Sequence, residues 1–259
     1  MIVISGQSRA TPRAMPASST VSITGVSPGR SARGPEAIEL PLTPELFLNP
    51  QLEDKMVQGQ AHTETGIEIF TLLNEHFRPQ MDVMVVFDMK HVFGRGLPSP
   101  APDVSVTRGI RKRFDPRRRS FDARKEGVVP CLVIEVVSPY SIRVRDTDLK
   151  DKVKAYEKVG IAEYLVVDSP SMQPHAWYSL LGYRLDAARR YQPIEPDAEG
   201  RILSESTGLW FQISPDRARV LIYEHPSGRR LLTPAERADR AESERARLQE
   251  ELERLRGGR

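Results

Sequence analysis

Residues 130–139 read Pro-Cys-Leu-Val-Ile-Glu-Val-Val-Ser-Pro, and they give the clearest indication of the fold. Residues 131–137 form a nearly continuous apolar run, which is typical of a central strand that is buried on both faces. The one polar residue in the run is Glu135, and burying an ionised carboxylate is costly unless a metal, a base or strong hydrogen bonds compensate for it. For a lone glutamate, the favoured interpretation is a strand-end position from which the side chain reaches solvent or an arginine. Whether Glu135 has a functional role therefore depends on other residues.

A helix and a second buried strand follow this stretch. Apolar residues over 146–159 recur with helical spacing, Gly160 is suited to cap the helix, and residues 164–168 read Tyr-Leu-Val-Val-Asp. A strand, a helix and a strand in this order predict a right-handed crossover and parallel strand pairing. The centre of the chain is therefore predicted to belong to the α/β class.

The chain on either side of this unit supplies further elements. Upstream, residues 62–77 predict an amphipathic helix, and residues 83–87 alternate as in a strand. A loop rich in Gly and Pro over residues 94–102 leads to a short strand at 104–106. Downstream, short strand-like segments between turns over residues 175–225 predict an antiparallel extension. The predicted fold class is α/β (α+β), with a mixed central sheet flanked by helices and a C-terminal helical tail.

Composition divides the chain into three parts. Residues 1–35 contain seven Ser, four Pro, four Arg and no acid, which predicts a disordered leader. Residues 36–233 hold the predicted domain, with its antiparallel extension from about 175, and residues 234–259 predict a helical tail. In the tail, apolar residues recur at alternating intervals of three and four, and Arg245 occupies one position of this pattern. The apolar residues are Ala238, Ala241, Leu248, Leu252 and Leu255. About three heptads is the shortest repeat that indicates a coiled coil, so a homodimer and a solvated single helix both stay open as interpretations.

Charge, cysteine content and hydropathy exclude several classes of protein. The 259 residues include 38 basic and 35 acidic side chains, a formal net charge of +3, so the chain as a whole is not a polybasic nucleic-acid tail. The one cysteine, Cys131, excludes an intramolecular disulfide framework and a cysteine-built zinc site, and suits a reducing compartment. No apolar run approaches the roughly 20 residues of a membrane-spanning helix, so we expect a cytoplasmic location and no membrane partner.

Two acidic residues form a candidate metal site. Asp103 lies near the start of a predicted strand, and Glu135 lies in the central strand. If these strands are neighbours, both carboxylates can bind one divalent cation, and their hard oxygens favour Mg²⁺ or Mn²⁺. The backbone carbonyl of Val136 adds an oxygen near the same point. Pro-Asp alone is a common turn dipeptide, so the hypothesis depends on the pair.

A cluster of lysines follows the central strand. Four of the eight lysines in the chain fall within residues 150–158. At about 100° per residue, three of them point away from the apolar face of the helix, and we interpret these three as solvated. Lys152 lies at the inner edge, faces the sheet and can pair with Asp148; a snorkelling lysine is the alternative interpretation. The apolar face itself consists of Leu149, Val153, Tyr156 and Gly160.

An acid after a loop, an acid in a buried strand and a lysine on the next helix suit metal-assisted phosphodiester hydrolysis. At these residues the sequence resembles a known family, the Uma-type restriction endonucleases of the PD-(D/E)XK nuclease superfamily. The similar stretches are PDVSV at 102–106, LVIEVVSP at 132–139 and DLKDKVKAYEKVGIAEYLVVD at 148–168. RRRSFDARKEG before the central strand, and GYRL, EGRILSESTGLWF and GRRLLTPAE after it, extend the resemblance from about Leu40 to Glu236.

The resemblance implies a restriction-endonuclease-like core, DNA as the substrate, and a divalent metal bound by Asp103 and Glu135. It also implies that Lys152 is the catalytic cation. The superfamily usually carries this lysine two residues after the strand acid, where this chain has Val137. His62 matches a histidine that is usual in the family, and a helix-capping or core-edge role explains it at least as well as a catalytic one.

Two groups of arginines are candidates for DNA binding. Residues 108–125 carry nine basic and two acidic side chains, a local charge of +7, and clustered arginines make charge-assisted contacts with phosphate. A solvated hairpin loop explains this segment equally well. Two further arginines lie between the central strand and the next helix, nearer to the predicted metal. The candidates are Arg143, Arg145, Arg117, Arg118 and Arg119.

The sequence thus predicts a magnesium-dependent endodeoxyribonuclease, and two alternatives stay open. A catalytically silent module with the nuclease fold would bind DNA or assemble with proteins through its heptad tail. A glycosidase would use Asp103 and Glu135 as its acid pair. Metal-dependent cleavage of DNA distinguishes the first function from the other two.

Overall fold

The computed structural model describes residues 60–111, 117–137, 147–168 and 179–257, together with Leu48 and Asp115. Four short N-terminal strands, residues 147–148 and residue 257 are described as backbone alone. The predicted DNA-binding residues Arg143 and Arg145 lie outside the described residues, as does the side chain of Asp148.

Fifteen strands and four α-helices are present in the described parts of the chain. The N-terminal strands are β1 (Ile2–Ser5), β2 (Thr20–Thr24), β3 (Ala37–Pro41) and β4 (Lys55–Met56). The helices are α1 (Gln60–Phe77), α2 (Ala123–Glu126), α3 (Lys152–Val159) and α4 (Pro234–Gly257), and a π-helical turn (Thr147–Asp151) directly precedes α3. The remaining strands are β5 (Val83–Phe87), β6 (Lys90–Val92), β7 (Val104–Arg108), β8 (Ser120–Asp122), β9 (Leu132–Val137), β10 (Glu163–Asp168), β11 (Ser179–Leu185), β12 (Tyr191–Pro193), β13 (Ile202–Ser204), β14 (Leu209–Ile213) and β15 (Val220–Glu224).

A six-stranded mixed sheet forms the centre of the fold, with the strand order β12-β11-β10-β9-β7-β5. β9 and β10 are parallel, whereas the other neighbouring strands in this sheet pair antiparallel. All six residues of β9 are buried, because both faces of the sheet are covered. The predicted mixed sheet and its parallel central pair are confirmed, and β11 and β12 add to the sheet antiparallel.

One face of this sheet packs against α1 and against the antiparallel sheet β13-β14-β15. Residues spaced by three and four along α1 supply the apolar contacts; they are Ile69, Leu72, Leu73 and Phe77. The spacing also predicts Ile67 on this face, but Ile67 is 46% exposed. From β9, the alternate residues Leu132, Ile134 and Val136 enter the same core. This arrangement fixes which face the remaining residues of β9 must occupy.

The opposite face packs against α3 and against the small parallel sheet formed by β6 and β8. Val133 and Val137 of β9 point to this face, so Glu135 between them points there as well. Tyr156 of α3 is fully buried among these residues. Helix α3 therefore lies over the position that Glu135 occupies in the sheet.

The helix predicted over 146–159 is present but begins differently. Its first turn, Thr147–Asp151, is π-helical, and regular α-helix begins at Lys152. Single π-helical turns are rare and are found frequently at functional sites. Gly160 ends α3 with a φ of 82°, in the left-handed region that glycine adopts readily, as predicted for the cap.

The N-terminal segment differs from its prediction. Residues 1–35 were expected to be a disordered leader, but β1 and β2 lie within them and belong to a four-stranded sheet of order β3-β2-β1-β4. Both strands consist largely of β-branched residues, IVIS and TVSIT, which favour extended pairing. The low acid content and the Ser and Pro content over the whole segment obscured these two short runs.

Helix α4 forms the predicted helical tail, and its residues from 237 to 256 are all exposed. Within the described chain, no helix combines the length and the apolar character that crossing a membrane requires.

A buried glutamate joins the central sheet to the β13-β14-β15 sheet. Glu163 at the start of β10 is 1% exposed. Its Oε1 accepts hydrogen bonds from Arg184 Nε and the Glu205 N–H, both at 2.9 Å. Its Oε2 accepts from the hydroxyls of Ser204 and Ser206 at 2.5 and 2.6 Å. Glu163 is thus surrounded by donors, and we assign it a structural role.

Replacing Glu163 with Gln should lower the free energy of unfolding by about 3 kcal/mol, because buried donors lose a charged acceptor. Glu205→Gln is the matched control, since Glu205 pairs with the same arginine but is 62% exposed. The control should cost less than about 1 kcal/mol. Chemical denaturation measures both values, and equal losses would contradict the structural role of Glu163.

Candidate active site

Two neighbouring strands bring the two predicted carboxylates to one point. β7 and β9 pair antiparallel with Val104 opposite Ile134, so Asp103, one residue before β7, lies opposite Glu135. The Asp103 N–H faces Glu135 Oε2 at 3.4 Å, and the Val136 N–H donates to Asp103 Oδ2 at 2.7 Å. Asp103 is 4% exposed and Glu135 is 1% exposed. The pairing of β7 with β9 thus creates a buried pair of acids.

Helix α3 places two donors on Glu135. Lys152 Nζ lies 3.0 Å from Glu135 Oε2, and the Tyr156 hydroxyl donates to Oε1 at 2.5 Å. Lys152 and Tyr156 are four residues apart, so they occupy the same face of the helix one turn from each other. Lys152 is 6% exposed, which shows the inward orientation that helical spacing predicts. Both oxygens of the Glu135 carboxylate are therefore held by α3.

Helix α1 places a histidine on the other acid. His62 Nε2 lies 3.2 Å from Asp103 Oδ2, and both side chains are 5% exposed. One turn further along α1, Gly66 packs so closely on Phe87 of β5 that a Cβ atom would lie 2.9 Å from its ring. Glycine at this position allows α1 to approach the sheet, and this approach brings His62 to Asp103. His62 thus belongs to the same cluster as the two acids.

The charges around Asp103 favour its ionised form. Burial alone would raise the pKa of Asp103. The hydrogen bond from His62, the positive charges of His62 and Lys152, and the Val136 N–H outweigh burial and hold this pKa below its ordinary value. Asp103 therefore carries a negative charge at neutral pH in a site that also contains Glu135.

Asp88 is a further acid in this neighbourhood, and the sequence analysis missed it. It follows β5, and its N–H donates to the carbonyl oxygen of Asp103 at 2.9 Å. Its φ of 43° lies in the left-handed region, which non-glycine residues seldom adopt and which occurs often at functional sites. Although the residue is exposed, desolvation of its carboxylate and the charge of Asp103 raise the pKa of Asp88. An aspartate at a strand end is also a common turn residue, so its sequence position does not distinguish Asp88 as a site residue.

Tyr156 was also missed as a site residue. Its ring packs in the core beside Tyr164, with ring centroids 5.0 Å apart, and the sequence analysis accordingly assigned Tyr156 to the apolar helix face. A buried tyrosine hydroxyl usually finds a polar partner, and here the partner is Glu135. The four-residue spacing from Lys152 was the available signal.

The oxygen donors fit a hard divalent cation. Among the described residues, no group of three or more His, Cys, Asp and Glu side chains is arranged to hold a metal ion. Mg²⁺, however, usually takes one or two carboxylates and completes its shell with water and substrate phosphate oxygens. Asp103 and Glu135 supply two carboxylates. The Val136 carbonyl points to the same strand edge as the Val136 N–H, which donates to Asp103.

The predicted DNA-binding arginines that the structure describes differ in their surroundings. Arg118 is half-buried and pairs with Glu126, with 2.5 Å between Nη1 and Oε1. Arg117 and Arg119 are exposed in the segment before β8. Arg118 thus pairs within the domain, and the residues on either side of it are exposed.

Comparison with known proteins identifies a family for this chain. The family model described as "Uma2: Putative restriction endonuclease" matches residues 42–215. One similar solved structure is titled "Crystal structure of a putative nuclease belonging to DUF820 from Anabaena variabilis ATCC 29413"; it shares 22% identity with this chain, over 58% of this chain and 75% of that chain, with a TM-score of 0.40. No curated protein matches the chain. Because the matched residues make up more than half of the chain and include Asp103, Glu135 and Lys152, the protein belongs to the Uma2 family.

Proposed function

We propose that this protein is an endodeoxyribonuclease that hydrolyses DNA phosphodiester bonds with a divalent metal ion, Mg²⁺ or Mn²⁺. Membership in the Uma2 family supports a nuclease function, and families of the restriction-endonuclease-like kind generally use divalent metals. The observation that carries the proposal is the buried cluster of Asp103, Glu135 and Lys152. A glycosidase with the same two acids has no support from the family.

Each residue of the cluster has a proposed role. Asp103, Glu135 and the Val136 carbonyl would hold the metal, which polarises the phosphate and lowers the pKa of a bound water molecule. Lys152 lies 3.0 Å from Glu135 Oε2 and is suited to neutralise the charge that develops on the phosphate oxygens. His62 and Tyr156 hold the two carboxylates in fixed orientations, as the outer partners of metal ligands commonly do.

DNA binding is proposed for arginines outside this cluster. Arg117 and Arg119 are exposed and can contact phosphate, and the same role is proposed for Arg118, Arg143 and Arg145. Such contacts would make the affinity for DNA fall as the salt concentration rises. We also propose a cytoplasmic location, since Cys131 is a free thiol that suits a reducing compartment.

Plasmid cleavage tests the proposed site. The wild-type protein should cleave DNA with Mg²⁺ or Mn²⁺ and lose this activity in chelator. Glu135→Gln removes a metal ligand and Lys152→Ala removes the cation, so each should lower the cleavage rate roughly 10²-fold or more. Lys154→Ala is the matched control, because Lys154 is exposed on the same helix two residues further on, and this variant should retain the wild-type rate.

The outcomes of this assay separate the alternatives. Equal cleavage by the wild type and Glu135→Gln would show that the assigned site is wrong. Binding of DNA without cleavage under any metal condition would favour the catalytically silent module. Circular dichroism and thermal melting show whether each variant is folded, since Lys152→Ala leaves a buried carboxylate without its cation.

The role of Tyr156 is tested by the metal requirement. Without the hydroxyl, Glu135 loses the donor that fixes Oε1, so Tyr156→Phe should raise the Mg²⁺ concentration for half-maximal cleavage about tenfold. Tyr183→Phe is the control, because Tyr183 lies in the same row of tyrosine rings, with its centroid 6.1 Å from that of Tyr164. The same metal requirement in both variants would count against a positioning role for Tyr156.

A further inference from the structure

Helix α4 has an apolar stripe without a cover in the described part of the chain. Leu248, Leu252 and Leu255 are 54%, 52% and 63% exposed. The helix has 24 residues and is therefore about 36 Å long. Helices in proteins gain most of their stability by packing an apolar face against a partner. The exposed leucines thus indicate that α4 packs against something outside the described chain.

Contacts of the first turn tie α4 to the domain. The Thr233 N–H donates to Glu236 Oε2 at 2.9 Å, and the Glu236 N–H donates to the Thr233 hydroxyl at 3.2 Å, which forms a capping box. Arg219 and Arg230 lie 2.9 and 3.0 Å from Glu236 Oε1. The start of the helix is therefore fixed, and its leucine stripe extends beyond this anchored turn.

The stripe follows a heptad repeat. Positions a and d are taken by Ala238, Ala241, Arg245, Leu248, Leu252 and Leu255 in alternation. Leucine at two of the three d positions suits a parallel two-stranded coiled coil. A polar residue at one a position, here Arg245, lowers stability but specifies the register and the number of strands. The pattern therefore fits one further helix of the same kind.

The charges beside the stripe select the orientation of that helix. In a parallel pair, each g residue faces the e residue that lies five positions later on the other helix. Glu251 of one helix then faces Arg256 of the other, and Glu244 faces Gln249. In an antiparallel pair in which all six a and d positions of one helix lie opposite those of the other, Glu244 of one helix would instead face Glu251 of the other. The parallel arrangement pairs opposite charges, whereas the antiparallel one pairs like charges.

The first g position adds a weaker preference in the same direction. Arg237 would face Glu242 in the parallel arrangement. Arg237 also pairs with Glu75 of α1 in its own chain, with 2.9 Å between Nη2 and Oε2. The orientation thus depends mainly on the pair formed by Glu251 and Arg256.

We propose that α4 binds the α4 helix of a second copy of this chain as a parallel two-stranded coiled coil. The seam consists of the two leucine stripes, and the ion pairs between Glu251 and Arg256 lie on both sides of it. The dimer does not depend on nuclease activity, so its test requires neither DNA nor metal.

Sedimentation equilibrium of the full chain over a range of concentrations tests the dimer. The wild type should show a reversible monomer–dimer equilibrium. Leu252→Glu places a charge in the seam and should weaken dimerisation at least tenfold. Ala246→Glu introduces the same residue on the outer face of α4 and should leave the dissociation constant unchanged. A wild type that stays monomeric, or a dimer that Leu252→Glu leaves intact, would overturn the proposal.

A charge reversal tests the orientation. In the parallel dimer, Glu251→Arg places two arginines opposite each other, so dimerisation should weaken several-fold. Adding Arg256→Glu restores opposite charges and should recover the wild-type dissociation constant. In the antiparallel dimer, Glu251→Arg would face Glu244 and strengthen association, and that result would overturn the parallel arrangement. Circular dichroism shows whether the variants retain their helix content.

Discussion

The carboxyl group of Glu135, buried in the middle of the central sheet, is the constraint on which the site depends. A buried carboxylate without partners would cost several kcal/mol, so the fold must bring donors to it. Helix α3 meets this need with Lys152 and Tyr156, one turn apart, and the strand pairing adds the Asp103 N–H. The packing of α3 on β9 and the assembly of the acid cluster are therefore coupled. His62 extends the cluster from the helix on the other side of the sheet.

Comparison with Glu163 shows why we assign Glu135 to a functional site. Both glutamates are 1% exposed, and they lie on adjacent parallel strands. Glu163 receives hydrogen bonds from an arginine, two serine hydroxyls and backbone N–H groups, and the side chain of Glu205, which shares that arginine, is 62% exposed. Glu135 instead lies beside Asp103, so two acids share one lysine and one histidine. Two buried carboxylates side by side are the kind of oxygen ligand set that a divalent cation takes.

The sequence predicts the central elements well for a physical reason. Apolar runs such as those of β9 and β10 have few alternatives to a strand buried on both faces, and helical spacing is sufficient to turn Lys152 inward. Which strands become neighbours is not encoded in the local sequence pattern, so the sequence placed Asp103 beside Glu135 only on the condition that β7 pairs with β9, as it does. Tyr156 was missed because its ring is a core residue and only its hydroxyl belongs to the site. Asp88 was missed because a strand-end aspartate is also an ordinary turn residue. Strands β1 and β2 were missed because the composition was averaged over a long segment.

The central claim is that Asp103 and Glu135 form one binding site for a divalent metal ion. Calorimetric titration of the metal-free protein with Mn²⁺ measures this binding without a known DNA target and without turnover. The wild type should give a saturable isotherm, and Asp103→Asn should weaken binding at least tenfold, since the variant loses a charged ligand but keeps the shape of the side chain. An isotherm that is the same for the wild type and Asp103→Asn would contradict the account.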